Sequence, residues 1–519
     1  MISTLNVLNR LNTSIRSLLL GSILFYSFIV SQTRSSNLFL DSFPISLIHH
    51  EFKLIENDEF HSVSIIRPFL LSETEDIPEM SFINQIAYNS NHPNIDNYGE
   101  FFALKGTNNL SNYRISYSNK WLFLNLEPYI SRKQNLSSIK HDQFGVFSSV
   151  NNSLYNHGYY YRGRNVIRSG FKQSALILHY NGIGLGYGNM SNWWGPGFHS
   201  SITLSSNSPG FNSIFLGSFK TINLKKLGFG FRIIISELEN HEQIPYYFSG
   251  LAAYATYKSE PRLTFGFFRY YLSGGEDISA ITNFEGEWSI KDAAQLIFEP
   301  LFGQSKSGLP YTNINTPGYD RWDQVLTGFI DLTFNRSLLK LYIEVSSDDN
   351  RANFTDLKAH WDHTLGYMLG FRKYFLIGNN KIIIASEYLS TKISNTLKFW
   401  RGDLNQQNYY TRKQFDYSTY QGRKYGAHSG SSSDDLIFLL GFYKRNKSIF
   451  FYYNKERHGI KGLKFPENKQ ELNLLYNYNI NVHHSVFVNI EYEKVYNWLN
   501  DQGRVSNSTV LWLGYSITL

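Results

Sequence analysis

The sequence predicts an exported all-β protein: a transmembrane antiparallel β-barrel of about 18 strands with a small N-terminal periplasmic helical segment. Three observations carry this. The chain opens on an export leader, apolar and polar residues then alternate along most of its length, and short links between the alternating runs take turns with long ones.

The leader comes first. Arg10 and Arg16 precede the apolar run LLLGSILFYSFIV, which ends at Ser31-Gln32. A cationic start, a short apolar core and a small residue at the cut describe a signal peptide over residues 1–31. The run is shorter than the roughly 20 residues of a spanning helix, and no later stretch is as apolar. The sequence contains no cysteine, so disulfides, thiolate metal sites and a lipoprotein anchor are excluded. Its 17% aromatic content suits strands.

Residues 32–110 lack clean alternation. LIHHEFKLIENDEFHSV and IPEMSFINQIAY have mixed, partly helical spacing and predict a periplasmic helical segment, with an irregular first hairpin as the alternative. The barrel is expected over 111–519. Leu339, Leu341, Ile343 and Val345 share one face opposite Lys340, Tyr342 and Glu344, and Leu511, Leu513, Tyr515, Ile517 and Leu519 repeat the device at the C-terminus. Links as short as Asn335–Ser337, Ile377–Asn380 and Arg445–Lys447 alternate with long ones near 303–323, 347–362, 391–433 and 455–469. That is the layout of an outer-membrane barrel, with periplasmic turns, outer loops, a lipid-facing apolar side and a polar lumen. It implies the outer membrane of a Gram-negative bacterium, with outer-membrane lipid as one partner. Inward carboxylates such as Asp331, Glu344 and Glu491 are expected to pair with Lys340, Arg232 and Arg372 across the lumen.

Asn181-Gly182 is a hairpin signal. After it Gly184, Gly186 and Gly188 share the inward face of a strand, opposite Ile183, Leu185 and Tyr187. Next comes NWWGPGFHSSITLSSNSPGF, residues 192–211. Two readings stay open. The segment folds into the lumen and lays Trp193 or Trp194 on the bare glycine face, or the tryptophans belong to the interfacial aromatic girdle.

Trp193-Trp194-Gly195-Pro196-Gly197, followed by Ser201, Ile202, Thr203, Leu204, Ser205, Ser206, Asn207 and Pro209, resembles the signature of the Wzi capsule-assembly proteins. The resemblance implies an 18-stranded outer-membrane barrel with an N-terminal periplasmic helical part, which binds capsular polysaccharide and helps assemble or retain it at the cell surface. Ser208 stands where such proteins often carry a basic residue, which leaves the ligand type open. The resemblance extends to outer-membrane proteins linked to gliding motility, so a motility or adhesion role is the alternative, and a diffusion porin the next.

Two long segments concentrate positive charge. Residues 131–170 hold six Lys/Arg against one acid, and 391–433 hold seven against two, in a chain whose net charge is +7. Arg162, Arg164 and Arg168 in the first, with Trp400, Arg401, Arg412, Arg423 and Lys424 in the second, are the candidate contacts for an acidic surface polysaccharide. Guanidinium groups pair with carboxylates, and aromatic rings cover sugar faces at little entropic cost. The expected outer location argues against nucleic acid, and envelope-protein partners are open. No nucleophile elbow, P-loop or dinucleotide fingerprint is present, and neither His49-His50-Glu51 nor His483-His484 has metal-ligand spacing. The expectation is a non-enzymatic protein without a cofactor or metal.

Overall fold

The computed structural model describes residues 44–56, 64–68, 78–94, 96–136, 165–240, 243–274, 322–348, 365–392, 409–410, 415–460 and 464–519. Among them, 18 antiparallel strands close into a barrel. The first nine are β1 Glu79–Asn89, β2 Gly106–Ser118, β3 Leu122–Leu126 with Pro128–Gln134, β4 Asn165–Phe171 with Ala175–Tyr180, β5 Ile183–Gly188, β6 Ser213–Ser218 with Ile222–Leu224, β7 Leu227–Glu239, β8 Pro245–Tyr257 and β9 Arg262–Gly274. The others are β10 Trp322–Phe334, β11 Leu339–Asp348, β12 Leu365–Ile377, β13 Asn380–Ser390, β14 Asp434–Lys444, β15 Lys447–His458, β16 Glu467–Asn479, β17 His484–Tyr496 and β18 Val505–Thr518. Each strand pairs with the next, and β1 closes on β18 through Ser81↔Thr518 to Asn89↔Val510. Closure leaves no backbone edge unpaired, the condition for strands in hydrocarbon.

The alternation read from the sequence is the in/out alternation of the wall. Leu341, Ile343 and Val345 are exposed on the outside while Lys340, Tyr342 and Glu344 are buried inside, and Leu185 and Tyr187 alternate with inward Gly186 and Gly188. Among the described residues no helix is long and apolar enough to cross a membrane. Asn181 and Gly182 both take positive φ, 51° and 79°, as a tight two-residue hairpin turn requires. The short turns gather at one end, where β1 starts and β18 finishes; this is the periplasmic end of the expected layout.

The barrel starts earlier than the alternation suggests. β1 and β2 lie within 79–118, so the proposed 32–110 segment is not helical throughout. These strands hide because Asn84 and Ser111 interrupt the outward apolar row, where the Asn84 side chain donates to Ser111 Oγ at 2.7 Å. Among the described residues the helix α1 Pro44–Glu56 is the helical part. It does not stand apart from the barrel: Leu47, Ile48, Phe52 and Ile55 join the buried cluster that fills the lumen. The leader lies outside the described residues.

Candidate functional site

The segment between β5 and β6 turns into the barrel. Trp193 and Trp194 pair with Arg67 and Ile66 in a two-stranded ribbon inside the lumen. Trp194 N–H donates to Leu204 O at 3.0 Å, Gly195 N–H to Ile65 O at 2.9 Å, and Ser201 Oγ to Trp194 O at 2.6 Å. Both indoles are fully buried, so they fill the plug and not the girdle. The Arg67 guanidinium stacks 4.5 Å from the Trp193 ring centre.

The glycine surface under Trp194 is not the one expected. Trp194 lies on Gly250 of β8, where a Cβ would stand 2.6 Å from its ring. Gly184, Gly186 and Gly188 do face inward, but Phe215 covers Gly186, and the neighbouring strand's own backbone crowds Gly184 and Gly188.

The Gly-Pro-Gly turn is clamped by charges from the wall and from the inner ribbon. Arg372 Nη1 donates to Pro196 O at 2.8 Å and Arg67 Nη2 to Gly197 O at 2.9 Å. The N–H groups of Phe198 and Ser200 donate to Glu387 at 2.9 and 2.6 Å. Gly195 holds φ +143° with Glu344 Oε1 where its Cβ would be, so only glycine fits. Asn207 joins the segment to the folded-in 415–433 stretch: its Nδ2 donates to Lys424 O at 3.0 Å, and its Oδ1 accepts from Asn97 N–H at 3.0 Å. Buried backbone polar groups need such partners, and the side chains of this motif supply or receive them.

Helix α1 is held at the short-turn end by one carboxylate. Glu51 accepts from Arg372 Nε at 2.9 Å and Nη2 at 3.0 Å, pairs with Lys340 Nζ at 2.8 Å, and is bonded by Tyr374. Burial acts to raise its pKa, but Arg372 and Lys340 hold it well below the usual carboxylate range. The expected cross-lumen pairing is thereby corrected. Lys340 and Arg372 serve the helix, and Arg232 donates to Pro68 O at 3.2 Å. Asp331 accepts from Thr333 at 2.9 Å, and Glu491 accepts from Tyr98 at 2.8 Å and Asn473 at 3.2 Å. Sequence separation hid the real partner: Glu51 and Arg372 are 321 residues apart.

Of the candidate polysaccharide contacts, Arg162, Arg164, Trp400, Arg401 and Arg412 lie outside the described residues. Arg168 is half-buried on β4 and bonds Gln421. Arg423 and Lys424 are fully buried inside the barrel, which corrects their placement on the outer surface. Arg423 reaches Gly99 O and Asn207 Oδ1 at 3.4 and 3.3 Å, and Lys424 Nζ donates to Tyr417 O at 3.0 Å. Burial lowers the Lys424 pKa well below that of a free lysine, against the raising effect of Asp416. These two side chains brace the plug. Tyr410 and Tyr417, beside Lys424, are buried with it.

Opposite the tryptophans, between the plug and strands β14–β18 and β1, lies a cavity of about 340 Å³. Tyr98 stacks on Trp512 at 4.7 Å and Phe101 meets it edge-on at 5.1 Å, which makes an aromatic floor. Asn473 and Asn489 line the wall, and their buried amide oxygens accept no hydrogen bond among the described residues. Asp96, Glu456, Glu471 and Glu491 also line it, facing Lys469, which pairs with Asp96 at 2.9 Å and Glu456 at 3.0 Å. At the rim nearest the motif, His199 Nε2 stands 3.1 Å from Asp435 Oδ2. Burial acts to lower the His199 pKa, but Asp435, with Glu387 and Glu456, raises it to about 9. Rings, amides and carboxylates around one hollow suit a hydroxyl-rich ligand. No local motif announced it, because its residues come from six strands and three plug segments.

The family described as capsule assembly protein Wzi matches residues 88–510. No curated protein matches. A solved structure of Wzi from Escherichia coli, described as an outer membrane protein involved in group 1 capsule assembly and a carbohydrate binding β-barrel, superposes with TM-score 0.56 at 11% identity, covering 84% of each chain. OccK5 (OpdH) of Pseudomonas aeruginosa gives TM-score 0.42 at 8% identity, over 86% of this chain and 100% of the other. OprD of the same organism gives 0.41 at 9%, over 86% and 95%. The motif, the closed barrel and a family match over most of the chain agree: this protein belongs to the Wzi capsule assembly family of outer-membrane β-barrels.

Proposed function

We propose that this barrel binds surface polysaccharide and retains it at the outer membrane, as a plugged binder and not a diffusion pore. One observation carries the reading. The lumen holds a clamped plug on one side and an aromatic, amide-lined cavity on the other. Sugars present hydroxyls to amides and apolar faces to rings, and a packed plug works against free diffusion. The carbohydrate binding described for the E. coli relative supports the same reading.

The acidic character of the glycan is a separate part of the proposal. It rests on the basic stretches around Arg162 and Arg164 and around Trp400, Arg401 and Arg412, since Arg423 and Lys424 are committed to the plug and the cavity itself is rich in carboxylates. The division assigns charged groups of the polymer to the outer loops and its neutral hydroxyl faces to the cavity.

The test is glycan-array binding by the purified protein, paired with planar-bilayer conductance. The expected result is saturable glycan binding, weakened several-fold by Arg162→Glu with Arg164→Glu, and little ion current. Steady open-pore conductance without glycan binding would return the protein to the porin class. A deletion strain that keeps its capsule but loses surface motility would favour the motility alternative.

A further inference from the structure

At the boundary between plug and cavity, three chain segments bring metal-binding groups together. His199 comes from the tryptophan segment, two residues after Gly197. His428 comes from the stretch folded in between β13 and β14, and Asp435 stands on the wall in β14. The ligand atoms of these three residues lie within 4.8 Å of one another. We infer that His199, His428 and Asp435 bind one divalent transition-metal ion, of zinc type, which ties the tryptophan segment and the folded-in stretch to the barrel wall.

The geometry is close to what such an ion needs. Bonds of 2.0–2.1 Å in a tetrahedral site place neighbouring ligand atoms about 3.3 Å apart. Asp435 Oδ2 is 3.1 Å from His199 Nε2 and 3.4 Å from His428 Nε2. The two imidazoles meet edge to face, their centres 4.8 Å apart, and both Nε2 atoms face the same carboxylate oxygen, with Asn454 Nδ2 also 3.2 Å from His199 Nε2. Two imidazoles with one carboxylate are borderline donors that suit zinc better than calcium or magnesium. Glu456 Oε1 stands 3.6 Å from His428 Nε2 and lies on the open side of the group, toward the cavity.

The surroundings supply an outer shell. Asp435 uses its other oxygen, Oδ1, to accept from Asn454 Nδ2 at 2.6 Å, which fixes the carboxylate. Among the described residues its Oδ2, aimed at both rings, accepts no hydrogen bond of ordinary geometry although the residue is 2% exposed. Asn97 contacts the second ring nitrogen of His428 at 3.0 Å. As placed, it is Asn97 Nδ2 that faces this nitrogen and also donates to His199 O at 3.1 Å, so a metal on Nε2 requires the amide to flip and offer its oxygen to a proton on Nδ1. Among the described residues Lys469 faces Asp96, Glu456, Glu471 and Glu493, with His458 on Glu456 at 2.8 Å and His92 on Glu493 at 3.2 Å, so carboxylates outnumber lysines and arginines here and favour an added positive charge. His199 and His428 both line the cavity, which gives an ion its way in. The competing arrangement is an ion-free His–Asp–His array made by the same atoms.

The experiment uses the full-length protein purified in detergent, stripped with chelator and dialysed. Co²⁺ is titrated while the visible d–d absorption is followed, and Zn²⁺ content is counted by mass spectrometry after loading. The expected result is one ion per chain with a nitrogen–oxygen type cobalt spectrum. His428→Gln and Asp435→Asn should weaken binding by more than about a hundredfold, beyond the loss typical of an outer-shell change. The double variant His483→Gln with His484→Gln, which removes the histidine pair at the periplasmic turn, should leave binding intact. Absence of stoichiometric binding by the wild-type chain overturns the inference whatever the variants do. So does binding that survives in His428→Gln and Asp435→Asn, or that vanishes only with the His483-His484 pair.

Discussion

The two sides of the lumen are built on opposite principles. Toward β8–β10 the interior is packed with rings: Trp194 on Gly250, Phe268 stacked on Phe329 at 4.9 Å, and Phe248 on Tyr270 at 5.4 Å. Toward β15–β18 and β1 the same wall carries Asn473, Asn489, Glu471 and Glu491 around a hollow. The tryptophan segment divides them, with its indoles in the dry half and His199 on the wet one. A closed barrel fixes only that inward positions alternate. The residues placed there decide whether that half of the lumen becomes a core, which gives stability, or a site, which gives up contacts for hydrogen-bonding capacity.

The largest effect is expected from emptying the dry half. Trp194→Ala removes a fully buried indole from a contact shaped by Gly250, and should cost roughly 3–5 kcal/mol, near the top of that range because the rigid wall cannot collapse onto the gap. Urea unfolding in detergent or lipid would read it. A midpoint that hardly moved would mean that the tryptophan contributes little to holding the plug.

Next in size is the helix anchor. Glu51→Gln leaves Lys340 and Arg372 buried without their counter-charge, which should weaken docking of α1 by roughly 3 kcal/mol or more. It keeps some hydrogen bonding, so the loss should fall below that of Trp194→Ala. The pH dependence has a definite sign. Arg372 and Lys340 hold the Glu51 pKa below its unfolded value, so the stabilisation is fully present above the unfolded pKa and is lost as pH falls toward the folded one. The wild-type helix should stay protected from protease at pH 4, while the Gln variant should be cut at neutral pH. Equal protection of both would show that apolar packing of Leu47, Phe52 and Ile55 holds the helix by itself.

The same contrast explains what the sequence could disclose. Strands such as β11 and β18 were legible because a lipid-facing row of Leu, Ile and Val is a local, periodic signal. β1 and β2 were not, because Asn84 and Ser111 satisfy each other on the outside and break the row. The tryptophan motif announced a special segment, but Trp194's contact with Gly250 is set by closure of the barrel. Arg423 and Lys424 were misplaced for a related reason: a run of charge in a long connection has no direction in the sequence, and these two residues of it turn inward to brace Asn207 and Tyr417. The cavity left least trace, since each of its residues reads as an ordinary polar position of a barrel strand.

The smallest expected effect on folding is also the one that most sharply separates the two halves. Asn489 faces the cavity, and its buried amide oxygen accepts no hydrogen bond from the described residues. Asn489→Leu keeps the branched shape, with its larger methyl groups facing the open cavity, and removes that acceptor, so stability should shift by less than about 1 kcal/mol in either direction. If a sugar hydroxyl donates to this oxygen, affinity for the glycan should fall about five- to tenfold, the worth of one hydrogen bond of roughly 1 kcal/mol or a little more. Titration calorimetry with the best ligand from the array would measure it beside the unfolding curve. Unchanged affinity in a stably folded Asn489→Leu protein would move glycan recognition out of the lumen, toward the basic stretches that include Arg162, Arg164 and Arg401, and would leave the wet half as a hydrated seam.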